Sequence, residues 1–285
     1  MIVTKLSDAL GAEISGVDVA ILDDRELARA MEAFHGHCIL VFRDQDLSPA
    51  AQVAFSRRLG DIQYHVSPEV CLADQPEVMV LSNEIRNGKN VGIADAGSDW
   101  HSDHSYMAVP TKISMLHAIR VAEEGGDTEW ANMYTAYDTL PEETKVRIEG
   151  LIGIHTFNRI RNPRVGMPER HGDGNEHYKR SPPDAYHPLA LVHPVTGRKA
   201  LYCSSRFTIA IDGMEDARAQ PLLDELFAHQ LQRDFVYHHS WAKGDLMMWD
   251  NRCTLHWACG GIVSPGIRHL HRTTIQGDRS PVAAA

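Results

Sequence analysis

Along this chain apolar residues fall mostly into short runs and alternations, and only a few stretches carry the three-to-four spacing of a helix. Residues 1–22 alternate apolar and polar positions around Gly11 and Gly16, which predicts one or two short strands. Asp23 or Asp24 caps a predicted helix to about Phe34, with Leu27, Ala28, Met31 and Phe34 on one stripe. His37 to Phe42 contains Cys-Ile-Leu-Val-Phe and reads as a buried strand. Ser48-Pro49 supplies an N-cap and a proline at the first helical position, and that helix stops near Leu59-Gly60. Further strands are predicted at Val78–Leu81, Lys112–Val121, Gly150–Phe157, Phe235–Trp241, Leu246–Trp249 and Ile267–Ile275. Asn132 to Arg147 is helical in pattern with a break at Leu140-Pro141, and Glu215 to Arg233 is an amphipathic helix. His193-Pro194-Val195-Thr196-Gly197-Arg198 lies between two apolar runs and predicts a hairpin turn.

Two polar stretches interrupt this pattern. Residues 83–99 contain Gly and show no periodicity, and residues 158–188 are rich in Gly, Pro, Arg and Asp. Both are expected to be mobile loops over a binding site, and residues 278–285 to be a frayed tail. Many short strands and few helices predict a mainly β fold with flanking helices, a double-sheet jelly roll rather than a βαβ fold. The chain shows no repeat, so residues 1–285 are expected to form a single catalytic domain.

Composition narrows the function. A formal net charge of −10 does not suit a chain that covers nucleic acid or an anionic membrane. No apolar run approaches the length of a membrane span, and the start lacks a signal-peptide layout. The five Cys contain no Cys-X-X-Cys and are expected to be free thiols in a reducing, cytoplasmic setting. The compositional oddity is 17 His, the commonest metal ligand near neutral pH.

The chemistry centres on Trp100-His101-Ser102-Asp103 and on His256 in Trp249-Asp250-Asn251-Arg252-Cys253-Thr254-Leu255-His256. On a strand, His101 and Asp103 would point to one face, and a second imidazole from His256 would complete a 2-His-1-carboxylate set with open metal positions, as suits non-haem Fe(II). Arg268, Leu270 and Arg272 share a face of the last predicted strand, with His269 and His271 turned the other way as structural histidines. Roughly 13 Å separates the two arginines along a strand, too far for one small acid to use both. An inward-facing arginine needs a buried counter-charge, which a substrate would supply.

Five segments together resemble the taurine/2,4-dichlorophenoxyacetate dioxygenase (TauD/TfdA) family. They are Trp100–Asp103, Gly125-Gly126-Asp127-Thr128, His193–Gly197, Trp249–Arg252 with His256, and Arg268-His269-Leu270-His271-Arg272. The resemblance implies a double-stranded β-helix (cupin-like jelly roll) and an Fe(II)- and 2-oxoglutarate-dependent dioxygenase. It implies iron on His101, Asp103 and His256, 2-oxoglutarate on Thr128 and Arg268, and a small anionic organic substrate on Arg272. His65 stands either on the substrate anion, as in taurine-type members, or as an ordinary loop histidine. Tyr106 either lines the pocket or belongs to the core. Asp250-Asn251-Arg252 is expected to orient the loop that carries His256. In such enzymes O2 and 2-oxoglutarate are consumed, succinate is released, and a substrate C–H is hydroxylated. A homo-oligomer, dimer or tetramer, is expected. The rival readings are a desaturase, epimerase or cyclising oxidase with the same metal set, a zinc-dependent cupin-like hydrolase or isomerase, and a binder of small anions without turnover.

Overall fold

The computed structural model describes residues 1–65, 68–94, 96–158 and 182–282. Its largest element is an eight-stranded sheet in the order Ile2–Lys5, Ala12–Ser15, Ile39–Phe42, Leu246–Asp250, Thr111–Arg120, His269–Gln276, Gln75–Ser82, Cys71–Leu72. Its neighbours pair antiparallel, except that Ala12–Ser15 and Ile39–Phe42 are parallel. A parallel step needs a crossover, and the helix Asp24–His37 provides it. That helix begins where the sequence predicts, in a capping box. Asp23 accepts from the Glu26 amide, and the Glu26 side chain accepts from the Asp23 amide.

The apolar runs in the middle of this sheet exist because both faces are covered. Leu40, Phe42, Leu246 and Met248 pack with Ala30, Phe34 and Phe55 of the helices Asp24–His37 and Pro49–Arg57. Their alternates Ile39, Val41, Met247 and Trp249 enter a second cluster with Trp130, Ala131 and Leu255. These last three belong to a three-stranded sheet, Val236–His239, Thr128–Asn132 and Thr254–Ala258. The two sheets thus face each other across one core, and the rings of Trp130 and Trp249 meet at 5.7 Å. The helix Asp216–Gln230 adds Ala219, Leu222, Leu223, Leu226 and Phe227 to the same cluster. The fold is therefore mainly β with a few helices. No described helix is long and apolar enough to cross a membrane.

Three expectations need correction. Residues 83–99 are not plain irregular loop. Ile85–Arg86 and Lys89–Asn90 form a small hairpin around Asn87-Gly88, both at positive φ (52° and 72°), the turn that Asn-Gly favours. Ile93 then returns to the strand Gln75–Ser82 through hydrogen bonds with Val80 and Ser82, and Gly92 lies so close to the Val80 carbonyl that a Cβ has no room. Within 158–188, Ala185–Pro188 is a strand paired with Ile152–His155, while residues 159–181 lie outside the described part. The expected frayed tail is docked through residue 282. Lys112 donates to Asp278 at 2.7 Å, Ser280 donates to the Ala108 carbonyl at 2.7 Å, and the Val192 amide donates to Val282 O at 3.2 Å. Residues 283–285 of that tail are outside the described part.

The capping and packing arguments separate by magnitude. Asp23→Ala removes one cap and is expected to cost about 1 kcal/mol. Trp130→Ala empties a site with no solvent exposure between the sheets and is expected to cost about 3–5 kcal/mol. Denaturant unfolding of the two variants checks the order.

Candidate active site

His101 and His256 are joined by an isolated antiparallel bridge rather than lying on one continuous strand. The His101 amide donates to His256 O at 3.1 Å, and the His256 amide donates to His101 O at 2.8 Å. His256 sits within the strand Thr254–Ala258, whereas Asp103 begins a turn. The expectation of a His-X-Asp strand is thus corrected: a bridge and a turn, rather than strand alternation, bring the side chains together. His101 Nε2 is 3.5 Å and His256 Nε2 is 3.7 Å from the same Asp103 oxygen, Oδ1. The ligand atoms all lie within 4.8 Å of one another.

The donor chemistry fits a divalent metal. The Nδ1 of His101 is 2.7 Å from Asp99 O, a partner that can only accept, so Nδ1 carries a proton and Nε2 is the ring nitrogen turned to the centre. Burial, and then the neighbouring His101, push the His256 pKa well below its usual value, which favours the neutral imidazole there. Burial alone would raise the pKa of Asp103. Arg272, followed by His256 and His101, outweighs burial and holds the carboxyl well below its usual range. Two imidazoles and a carboxylate are the donor set of a 2-His-1-carboxylate centre.

The other oxygen of Asp103, Oδ2, is held by the protein. Ser114 Oγ donates to it at 2.6 Å, and Arg272 Nη2 forms an ion pair with it at 2.7 Å. The Asp103 amide donates to Asn251 Oδ1 at 3.0 Å. Neither Ser114 nor this role of Asn251 is visible in the motifs. Asn251 serves the Asp103 turn rather than the loop to His256 that the sequence suggests. The one available signal for Ser114 is a small polar residue inside the apolar strand Thr111–Arg120. The counter-charge of Arg272 also differs from expectation, because Asp103 supplies it without a substrate. The contact is an ion pair without hydrogen-bond geometry, since Arg272 Nε and Nη2 are both buried and without a hydrogen-bond partner.

Arg268 lies just before the strand His269–Gln276. Its Nη2 donates to Thr128 Oγ1 at 3.4 Å, and Trp241 Nε1 donates to the same oxygen at 3.0 Å. The guanidinium sits 5.7 Å from the centre of the Trp241 ring, and its Nε is buried without a partner. Gly126 allows this approach, since a Cβ there would come 2.9 Å from Arg268 Cδ. Burial lowers the Arg268 pKa to about 10. Among the described residues no carboxylate forms an ion pair with this guanidinium, which leaves a cradle for an acid.

Tyr106 packs against Phe157 and Phe207 at 4.7 and 4.9 Å between ring centres, and Phe207 in turn meets the His101 ring at 5.8 Å. This places Tyr106 in an aromatic wall next to the centre, with a phenol whose pKa burial raises. Phe157 and Phe207 are wall residues that sequence motifs do not reveal. His65 is half-buried, near enough to His104 for its charge to help lower that pKa to about 4, after burial and Arg272. His269 and His271 face away from the arginines and lie 3.2 Å apart through their Nε2 atoms.

A second cluster, His35, His193 and Asp250, also has metal-like spacing. Its protons argue against ligation. The amides of Val195 and Thr196 donate to His193 Nδ1 at 3.3 and 3.1 Å, so Nε2 carries the proton and gives it to Asp250 Oδ2 at 3.0 Å. Arg252 takes up the same carboxylate with Nε at 2.8 Å and Nη2 at 2.6 Å.

The fold and the spacing of His101, Asp103 and His256 fit a metal-dependent enzyme. Residues 3–274 match the model of the taurine catabolism dioxygenase TauD, TfdA family, and the chain belongs to that family. It is a 2-oxoglutarate-dependent dioxygenase that uses Fe(II) and O2. It is 34% identical to an (S)-phenoxypropionate/alpha-ketoglutarate-dioxygenase of Sphingobium herbicidovorans, over 90% of this chain and 88% of that protein. It is 36% identical to an alpha-ketoglutarate-dependent 2,4-dichlorophenoxyacetate dioxygenase of Cupriavidus pinatubonensis, over 81% of each chain. A solved structure of AAD-2 in complex with Mn(II) and N-oxalylglycine superposes with a TM-score of 0.83 at 31% identity, covering 99% of this chain and 100% of that one.

The two histidine clusters give a paired prediction. His256→Ala is expected to abolish stoichiometric Mn(II) or Fe(II) binding, measured by equilibrium dialysis, whereas His193→Ala leaves the stoichiometry unchanged. Metal binding that survives in His256→Ala and disappears in His193→Ala would reverse the assignment.

Proposed function

We propose that this dioxygenase hydroxylates a C–H bond of a small organic anion, a sulfonate, an aryloxyalkanoate or a related carboxylate. His101, Asp103 and His256 hold the metal, Arg268 and Thr128 hold 2-oxoglutarate, and Arg272 anchors the acid group of the substrate. The observation that carries this reading is a pair of buried arginines, Arg268 and Arg272, each with at least one guanidinium nitrogen that lacks a hydrogen-bond partner. Arg268 has no acid partner among the described residues, and Arg272, though ion-paired with Asp103, keeps both Nε and Nη2 buried without a hydrogen-bond partner. Buried guanidinium donors without partners are costly, and two separate anions would satisfy them. The names of the relatives on phenoxypropionate and 2,4-dichlorophenoxyacetate support an aryloxyalkanoate.

Bound Fe(II), 2-oxoglutarate and O2 supply the oxidising power for the C–H bond. The residues of the chain bind and orient. Arg268 takes the distal carboxylate of 2-oxoglutarate in a bidentate grip, and Thr128 donates to the same group. Arg272 fixes the substrate acid, while Tyr106 with Phe157 and Phe207 forms an apolar wall that keeps water from the reacting carbon. His65 lies on the side of His104 and shares the substrate anion. Where the hydroxylated carbon carries a heteroatom, the product fragments. The two facing sheets support a double-stranded β-helix acting as one catalytic domain. Five free cysteines support a cytoplasmic setting.

Turnover of a panel of sulfonates, aryloxyalkanoates, amino-acid derivatives and sulfate esters, scored by succinate formation, tests the substrate class. A neutral or cationic best substrate would overturn it. Arg268→Ala is expected to raise the KM for 2-oxoglutarate roughly a hundredfold or more, the loss of a charge-assisted bidentate contact. Arg272→Ala is expected to weaken the organic substrate while 2-oxoglutarate still binds, and to raise succinate formed without product. If the two variants exchange these effects in steady-state kinetics, the arginine roles are exchanged as well.

A further inference from the structure

We infer that Ser114, propped by Asn251, is a positioning residue that keeps Asp103 on a single oxygen toward the metal. The inference rests on His101, Asp103 and His256 being the metal centre. The direction of every hydrogen bond here follows from donors that cannot accept. Trp249 Nε1 and the Asp103 amide both donate to Asn251 Oδ1 at 3.0 Å. This settles which end of the Asn251 amide is oxygen, so Nδ2 donates to Ser114 Oγ at 3.0 Å. The Ser114 hydroxyl then gives its single proton to Asp103 Oδ2 at 2.6 Å. Arg272 occupies the same Oδ2 at 2.7 Å, while Oδ1 is the oxygen near both imidazoles.

The Ser114 hydrogen bond takes up a lone pair of Oδ2, and the charge of the Arg272 guanidinium beside it draws off its negative charge, which makes it a poor second ligand. The consequence lies in the count of open positions. A six-coordinate metal with two imidazoles and one carboxylate oxygen keeps about three positions, and a chelating 2-oxo acid fills two of them. A carboxylate bound through both oxygens would leave about two, and the cosubstrate would then compete with O2. Ser114 and Asn251 have no solvent exposure, so water has no ready path to replace the missing donor. Asn251 thus holds Asp103 twice, directly through the backbone and through Ser114 at the side chain.

The test uses the full chain loaded with Mn(II), with bound exchangeable waters counted by water-proton relaxation. The wild type is expected to hold about three waters, and about one after 2-oxoglutarate is added. Ser114→Ala is expected to hold about two, and about none with 2-oxoglutarate. Ser114→Cys, close to serine in size and a weaker donor, gives the same test with the packing kept, and is expected to shift in the same direction. Ser114→Thr, which keeps the hydroxyl, retains the wild-type counts. A purely structural serine would move the thermal midpoint and leave both counts alone, so wild-type counts in folded Ser114→Ala and Ser114→Cys overturn the inference. Mn(II) that fails to bind the wild type, or that still binds His256→Ala, overturns the metal-centre reading itself.

Discussion

A carboxylate enclosed in the protein is the constraint around which this structure is arranged. Asp103 is only 4% exposed, and a buried charge without partners would cost several kcal/mol. Its partners come from three neighbouring strands of the main sheet or their ends. Asn251 follows Leu246–Asp250, Ser114 lies on Thr111–Arg120, and Arg272 lies on His269–Gln276. Ser114 pairs in register with Trp249 on one side and Thr274 on the other. A slip of one residue in either pairing would turn Ser114 or Arg272 toward the helices and leave the carboxylate without its donors. Core packing and site geometry therefore enforce one register between them.

The same principle explains the polar residues that interrupt the apolar strands. Thr128 and His256 lie in buried strands of the smaller sheet, and each faces a specific partner rather than solvent. Arg268 contacts Thr128, whereas Arg272 pairs with Asp103.

Element by element, the outer architecture was legible. The capping box at Asp23, the Ser48-Pro49 start and the runs at Ile39–Phe42 and Leu246–Asp250 carry their own local causes. The strands Thr128–Asn132, Thr208–Ile211 and Thr254–Ala258 were not legible, because their Thr, Glu, Asn and His residues answer to distant partners and blur the apolar pattern. The small hairpin at Asn87-Gly88 had a local signal that the polar surroundings masked.

By itself the sequence determined the family, since motifs such as Trp100–Asp103 and Arg268–Arg272 are local and chemically specific. Only the tertiary structure decided what holds each of these groups. That His101 meets His256 through a lone bridge, that Arg272 already has Asp103, and that Ser114 takes the other oxygen of that carboxylate all depend on contacts across more than a hundred residues or on the register between strands. Hydrogen-bond partners are chosen by position in space and by which groups can donate, and neither is written in local spacing.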